Sequence, residues 1–164
     1  MAERKRTTAR QAALRLLAAR ALSERELEER LARKGFEPAE VSAVVSAMRR
    51  AGYVDDRKLA YNVISSRSKR ARIGRGRLEA ELGRRGISPR DRQSAWEMAR
   101  DEFDEQALLA QAIQVLLERE GPPRDIRAYE RLAQRLARRG FAARDVLRAL
   151  APHRPPGAET DDIV

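Results

Sequence analysis

The sequence predicts an all-α fold: three tandem three-helix repeats forming an elongated, curved right-handed or solenoid-like array. Three observations carry this. One motif, Leu-x3-Leu-x-basic-basic-Gly-apolar, occurs at Leu27–Phe36, Leu78–Ile87 and Leu132–Phe141, and its glycines stand 51 and then 54 residues apart, a period that marks a repeat architecture. A helix-start pattern follows each copy and a longer apolar-periodic segment precedes each. β-branched residues are sparse and strict apolar alternation is absent, so no strand is expected.

The first helix is expected over about 8–22, with Leu14, Leu17 and Ala18 on one side. The second carries Leu27 and Leu31 on one face, because residues four apart are neighbours on a helix. Arg33 and Lys34 then occupy its last turn, where the helix dipole favours positive charge, and Gly35 accepts the left-handed conformation that ends it. Glu37-Pro38-Ala39-Glu40 opens the third helix, which carries Val41, Val44, Val45 and Met48. The cycle restarts over about 55–72 with Leu59, Ala60, Val63 and Ile64. It continues through Leu78 and Leu82 to the Gly86 stop and enters a sixth helix at Ser88-Pro89-Arg90-Asp91, with Ser as N-cap and Pro at the first helical position. Ala95, Trp96 and Ala99 line that helix. The third cycle runs over about 104–120 (Leu108, Leu109, Ala112, Ile113, Leu116, Leu117), then Leu132 and Leu136, the Gly140 stop, and Val146, Leu147 and Leu150. The expected organisation is a basic flexible N-terminus at 1–8, repeats at 9–52, 53–102 and 103–151, and a flexible acidic tail at 152–164 that carries Glu159, Asp161 and Asp162.

A three-helix unit of about 50 residues has a small core and is marginal alone, so neighbouring repeats are expected to share buried surface. Aromatic residues make up only 4% of the chain, so the cores rest on Leu, Ala, Val and Ile. No cysteine is present and His153 is the single histidine, which argues against disulfides, a His/Cys metal site and a His-dependent nucleophile. Asp55 and Asp56, adjacent acids at a helix start, read as caps. Trp96 and Met98 read as packing residues rather than a base-stacking platform. Tyr53 is ambiguous, its one offered role being a buried anchor between repeats with its hydroxyl at the rim. No enzyme activity and no cofactor are expected. No apolar run spans a bilayer and no secretory core follows the N-terminus, so a cytoplasmic protein with no membrane association is expected.

The formal net charge is +10. Residues 67–92 hold ten cations against three acids, +7 of that total. A smaller basic group comprises Arg4, Lys5, Arg6, Arg10 and Arg15. The central cations flank a break, Arg72-Ile73-Gly74-Arg75-Gly76-Arg77, whose two glycines would let backbone approach a partner closely. This is a basic loop touching phosphate or an acidic protein face, or a helix–helix turn with solvated arginines; composition leaves both open. It is not a nucleotide loop, since a third glycine and a Gly-Lys-Ser/Thr are missing. Arg67, Lys69, Arg70, Arg72, Arg75 and Arg77 are the favoured partner contacts, with Arg84 and Arg85 next.

The stretch Gly52-Tyr53-Val54-Asp55-Asp56, then Leu59-Ala60 and Arg67, resembles the RecX family of bacterial recombination regulators. So does Gly74-x3-Leu78-x2-Glu81-Leu82-x2-Arg85-Gly86-Ile87, and so does the opening Ser23-Glu24-Arg25-Glu26-Leu27 through Lys34-Gly35-Phe36. The similarity covers roughly residues 10 to 151. Leu59, where the family usually has Phe, and Gly76 inside the basic turn depart from the pattern. The resemblance implies a non-enzymatic, monomeric regulator that binds RecA recombinase filaments on single-stranded DNA. It also implies inhibition of RecA ATP hydrolysis, strand exchange and co-protease activity, and weak binding to single- or double-stranded DNA. The alternative is a helical module that acts directly on nucleic acid, since short helices joined by glycine turns resemble helix-turn-helix units.

Overall fold

A computed structural model describes residues 7–156 of the chain. Most of the basic N-terminus expected at 1–8, and the acidic tail from 157 onward, lie outside the described residues.

Nine α-helices fill the described chain, and no strand occurs among these residues. They are α1 (Ala9–Ala19), α2 (Glu24–Ala32), α3 (Pro38–Arg50), α4 (Asp56–Ala71), α5 (Arg75–Arg84), α6 (Pro89–Met98), α7 (Glu105–Glu120), α8 (Ile126–Arg138) and α9 (Ala143–Leu150), followed by a single 3-10 turn, Ala151–His153. The fold is all-α and repeats a three-helix unit: α1–α3, α4–α6 and α7–α9.

The glycine stops work as the motif predicts. Gly35, Gly86 and Gly140 all have positive φ, and the amides of Phe36, Ile87 and Phe141 reach back to the carbonyls of Leu31, Leu82 and Leu136 at 3.5, 3.2 and 3.4 Å. The first helix ends earlier than its apolar pattern suggests. Arg20 is extended, with φ −165° and ψ 157°, which frees Leu22 to sit just ahead of the Ser23 N-cap. Leu22 and Leu27 are both buried in one cluster, on either side of the cap, as in a hydrophobic staple. Ile73 and Leu78 flank the start of α5 in the same way and are also buried.

Packing divides the described residues into two compact units. One comprises 7–63 with 81–98, and the other 64–80 with 99–156. Residues of the middle repeat thus pack in both, which is how small three-helix units gain a sufficient core. In the first unit Ala12, Ala13, Leu22, Leu27, Leu31, Val41, Val45 and Met48 form one cluster. In the second, Leu108, Ala112, Leu116, Tyr129, Leu136, Phe141, Val146 and Leu150 form another. Trp96 is buried, as a packing residue should be, while Met98 at the end of α6 is 48% exposed and Tyr53 is 59% exposed. Tyr53 is therefore a surface residue, not an anchor.

Candidate functional site

Each unit contains one joint of the same design, in which the start of one repeat's second helix seats against the glycine stop of the next repeat's second helix. In the first unit, Ser23 caps α2 and is fully buried. Its Oγ accepts the Glu26 amide at 3.1 Å and donates to the Arg85 carbonyl at 2.5 Å. Glu26 Oε2 closes the capping box on the Ser23 amide at 3.0 Å and accepts Arg85 Nη2 at 2.8 Å. Arg85 Nη2 also donates to the Ala21 carbonyl at 3.2 Å. Burial pushes the Glu26 carboxyl up, but the Arg85 and Ser23 hydrogen bonds, with the charges of Arg85 and Arg20, outweigh it and hold the group below its ordinary value.

Two adjacent acids stand at the start of α4, and one of them completes that joint. Asp55 caps its own helix, accepting the Lys58 amide at 2.9 Å. Asp56 does not. It is buried, and its Oδ1 accepts the Glu24 amide at 3.0 Å, so it caps α2 instead. Burial pushes the Asp56 carboxyl up to about 6; the Glu24 amide opposes this, the negative charges of Glu24 and Asp91 add to it, and Arg85 offsets part.

The second unit repeats the design with different side chains. Gly74 stands where Ser23 does, and its amide donates to the Arg139 carbonyl at 2.8 Å, while the Gly76 amide donates to the Gly140 carbonyl at 3.0 Å. Glu105, the first residue of α7, accepts the Arg75 amide at 2.7 Å and caps α5 as Asp56 caps α2. A Cβ on Gly74 would lie 2.5 Å from the Gly140 carbonyl oxygen, and one on Gly140 would lie 2.2 Å from the Arg77 amide nitrogen. The glycines of the basic break therefore serve a close approach inside the chain, not to an outside partner.

The charges of the second joint differ from the first. Arg139 stands where Arg85 does, but Arg77 replaces Glu26 and Arg72 replaces Ala21. Arg77 Nη1 donates to the Arg138 carbonyl at 3.2 Å. Arg72 holds a left-handed backbone with φ 47°, and its Nε is buried with no hydrogen-bond partner. Partial burial, and then the charges of Arg135, Arg72, Arg119 and Arg77, pull the Arg139 guanidinium below its ordinary value. Glu120, paired with Arg135 at 2.5 Å, is the neighbouring acid.

Of the residues singled out in the sequence, Arg67, Lys69, Arg70, Arg72, Arg75 and Arg77 fall in the second unit and Arg84 and Arg85 in the first. Arg72 and Arg77 come together; Arg75 lends its amide to Glu105. Arg67 and Arg70 are exposed on α4, and Lys69 lies 3.6 Å from Glu102. Arg84 is exposed, whereas the Arg85 side chain is 17% exposed and bound internally. Arg119, Arg135 and Arg139 join Arg72 and Arg77 without having been singled out. Their signal was present in the repeat: aligning the copies puts Arg77 against Glu26. No helix among the described residues is long and apolar enough to cross a membrane.

Residues 9–47 match the RecX first three-helix domain. Over 155 residues the chain is 39% identical to the regulatory protein RecX of Halorhodospira halophila, covering 93% of this chain and 89% of that protein. The chain belongs to the RecX family. RecX of Acidithiobacillus ferrooxidans is 37% identical over 147 residues, covering 87% of this chain and 88% of the relative. The crystal structure of RecX from Lactobacillus salivarius superposes with a TM-score of 0.75 at 15% identity, covering 88% of this chain and 93% of that one. A second regulatory protein RecX structure gives the same TM-score at 19% identity, over 88% of this chain and 70% of the other. These structures share the RecX fold, and the RecX relatives are named as regulatory proteins rather than as enzymes.

Proposed function

We propose that this RecX-family chain is a non-enzymatic, monomeric cytoplasmic regulator that binds RecA filaments on single-stranded DNA and inhibits RecA ATP hydrolysis, strand exchange and co-protease activity. The observation that carries this reading is family membership across nearly the whole chain. The chemistry of the described surface supports it. The two joints tie successive repeats together, the first through side chains bound to backbone groups and the second through backbone hydrogen bonds, so cations on α4 and on the α4–α5 turn are presented from fixed elements rather than from loose loops. Arg67, Lys69, Arg70, Arg72, Arg75 and Arg77, with Arg84, are the contacts to an anionic surface of the filament; Arg85 acts on the fold. A ligand that holds neighbouring protomers in one relation resists the motions of nucleotide turnover, because it shifts the equilibrium by its differential affinity for the two states.

The test is DNA-dependent ATP hydrolysis by RecA with added protein. Suppression at amounts well below one copy per RecA is expected. No effect at equimolar amounts, from protein shown to be folded by circular dichroism, would overturn the reading.

A further inference from the structure

The two joints share one design and differ in charge at the places of Glu26 and Ala21. In the first, the guanidinium of Arg85 finds an internal carboxylate and a carbonyl: Glu26 at 2.8 Å and Ala21 at 3.2 Å. In the second, the residue in the place of Glu26 is Arg77 and the residue in the place of Ala21 is Arg72. Arg139, the counterpart of Arg85, keeps the backbone bond of the joint, its carbonyl accepting the Gly74 amide at 2.8 Å. Among the described residues no carboxylate pairs with it. Arg119 and Arg135 add their charge to the same place. Glu120 pairs with Arg135 and also feels the charge of Arg119.

Clustered guanidinium groups repel one another and raise the energy of the folded chain unless an anion joins them. The fold nonetheless commits three glycines and a left-handed Arg72 to holding this turn in place. Arg72 Nε, buried and without a partner, is a donor whose desolvation is not offset inside the chain.

We propose that the second joint is a phosphate-binding site. Arg72, Arg77 and Arg139 take the non-bridging oxygens in place of the carboxylate that Glu26 supplies internally in the first joint, and Arg119 and Arg135 add attraction. A single carboxylate pairs with one guanidinium, as Glu26 pairs with Arg85 through Nη2 while Arg85 Nε, like Arg72 Nε, stays buried without a partner. A phosphate offers several strong acceptor oxygens to several planar forks at once, and a nucleic-acid backbone brings one such group per nucleotide. The chemistry is shared by a nucleic-acid backbone and by free polyphosphate. The inference deepens the filament reading by naming the ligand of its cations, and its test contains no recombinase, so either can fail alone.

The experiment uses the full chain and fluorescence anisotropy of a labelled single-stranded oligothymidylate. Its partners are the same oligomer with an uncharged methylphosphonate backbone, inorganic tripolyphosphate as competitor, and a glutamate-rich peptide. Arg77→Glu restores the carboxylate of the first joint. It should weaken oligomer binding by about 10-fold or more and make the log–log salt dependence shallower by about two phosphates' worth. It should also raise the melting temperature, since Arg139 gains a partner. Arg50→Glu makes the same change in net charge on exposed α3 and should weaken binding by less than about 3-fold. Arg139→Gln, which keeps a donor but removes the charge, should weaken binding without depending on the new pair. Binding of the phosphodiester but not the methylphosphonate assigns the site to a nucleic-acid backbone. Variant-sensitive binding of tripolyphosphate alone assigns it to free phosphate. The proposal is overturned if Arg77→Glu and Arg139→Gln bind as Arg50→Glu does, if the methylphosphonate binds equally well, or if only the glutamate-rich peptide shows the variant dependence.

Discussion

Asp56 Oδ1 accepts the backbone amide of Glu24 at 3.0 Å, so the first residue of α4 caps the first residue of α2. Glu105 and Arg75 stand in the same relation, at 2.7 Å, at the starts of α7 and α5. An unsatisfied amide at a helix N-terminus attracts an acid, and in both joints that acid comes from the following repeat. The device ties helix initiation to repeat stacking.

Asp56 bears a cost for this role. Burial, with Glu24 and Asp91 nearby, raises its carboxyl from 3.8 to about 6. The folded chain therefore holds the Asp56 proton more tightly than the unfolded chain. This contribution to stability is greatest below pH 4, falls as pH rises through the window from 3.8 to about 6, and stays low above it. Asp56→Asn keeps an acceptor for the Glu24 amide and removes the charge. It should stabilise the protein at pH 7 by at most about 3 kcal/mol and flatten this part of the pH profile. Urea melts of both proteins at pH 4, 5, 6 and 7 read this directly. A variant less stable than wild type at pH 7 would show that the charge helps the cap more than burial penalises it.

Glu26 has the opposite sign. Its burial is outweighed by Arg85 and the Ser23 amide, so its carboxyl titrates below the ordinary value. Its contribution is present at neutral pH and is lost as pH falls through the lowered value. Glu26→Gln and Arg85→Met should each cost about 2 kcal/mol at pH 7, the scale of a hydrogen bond to a charged group. Their effects should not add, because they share one bond. The double variant, melted beside both singles at pH 7 and pH 3, measures the coupling. Full additivity would mean that the 2.8 Å pair adds nothing to the joint.

Helices, their order and their stops were legible because they depend on local chemistry. Leu27 and Leu31 share a face by spacing alone, and Gly35 ends α2 by what glycine permits. Asp55 was legible as a cap for the same reason, since its target lies three residues away. Asp56 read as a cap too, but the helix it caps did not, because its target lies 32 residues back and nothing in adjacent sequence marks it. Gly74 and Gly76 announced a close approach but not to what; Gly140 answers that only after folding. The guanidinium cluster was half visible. Arg72 and Arg77 stood out by local density, while Arg139 looked like ordinary compensation at a helix end until its position could be compared with Arg85.

Gly140 and Gly35 separate two costs that sequence alone merges. Both have positive φ, +90° and +85°, so alanine at either incurs the left-handed penalty, about 1 kcal/mol. A Cβ at Gly35 meets nothing within 4 Å, whereas one at Gly140 would sit 2.2 Å from the Arg77 backbone. Gly35→Ala should therefore lose about 1 kcal/mol, and Gly140→Ala substantially more, because backbone cannot swing aside as a side chain can. Chemical denaturation of the two variants compares them. Equal losses would mean that the second joint yields at little cost.

Surface cations and joint cations should part company in a filament assay. Arg70 and Arg84 are exposed, and charge reversal at exposed positions changes stability by about 0.5 kcal/mol or less. If they meet an anionic filament surface, reversal replaces attraction with repulsion, and like charges across an interface are costly. The double variant Arg70→Glu with Arg84→Glu should melt as wild type does. Its half-inhibitory concentration against RecA ATP hydrolysis should rise by about 10-fold. Arg85→Met should do the reverse, lowering the melting temperature while leaving inhibition intact at temperatures where the variant is folded, because its guanidinium serves Glu26 and Ala21 within the chain. Unchanged inhibition by the folded double variant would remove Arg70 and Arg84 from the partner surface and leave the second joint to carry recognition.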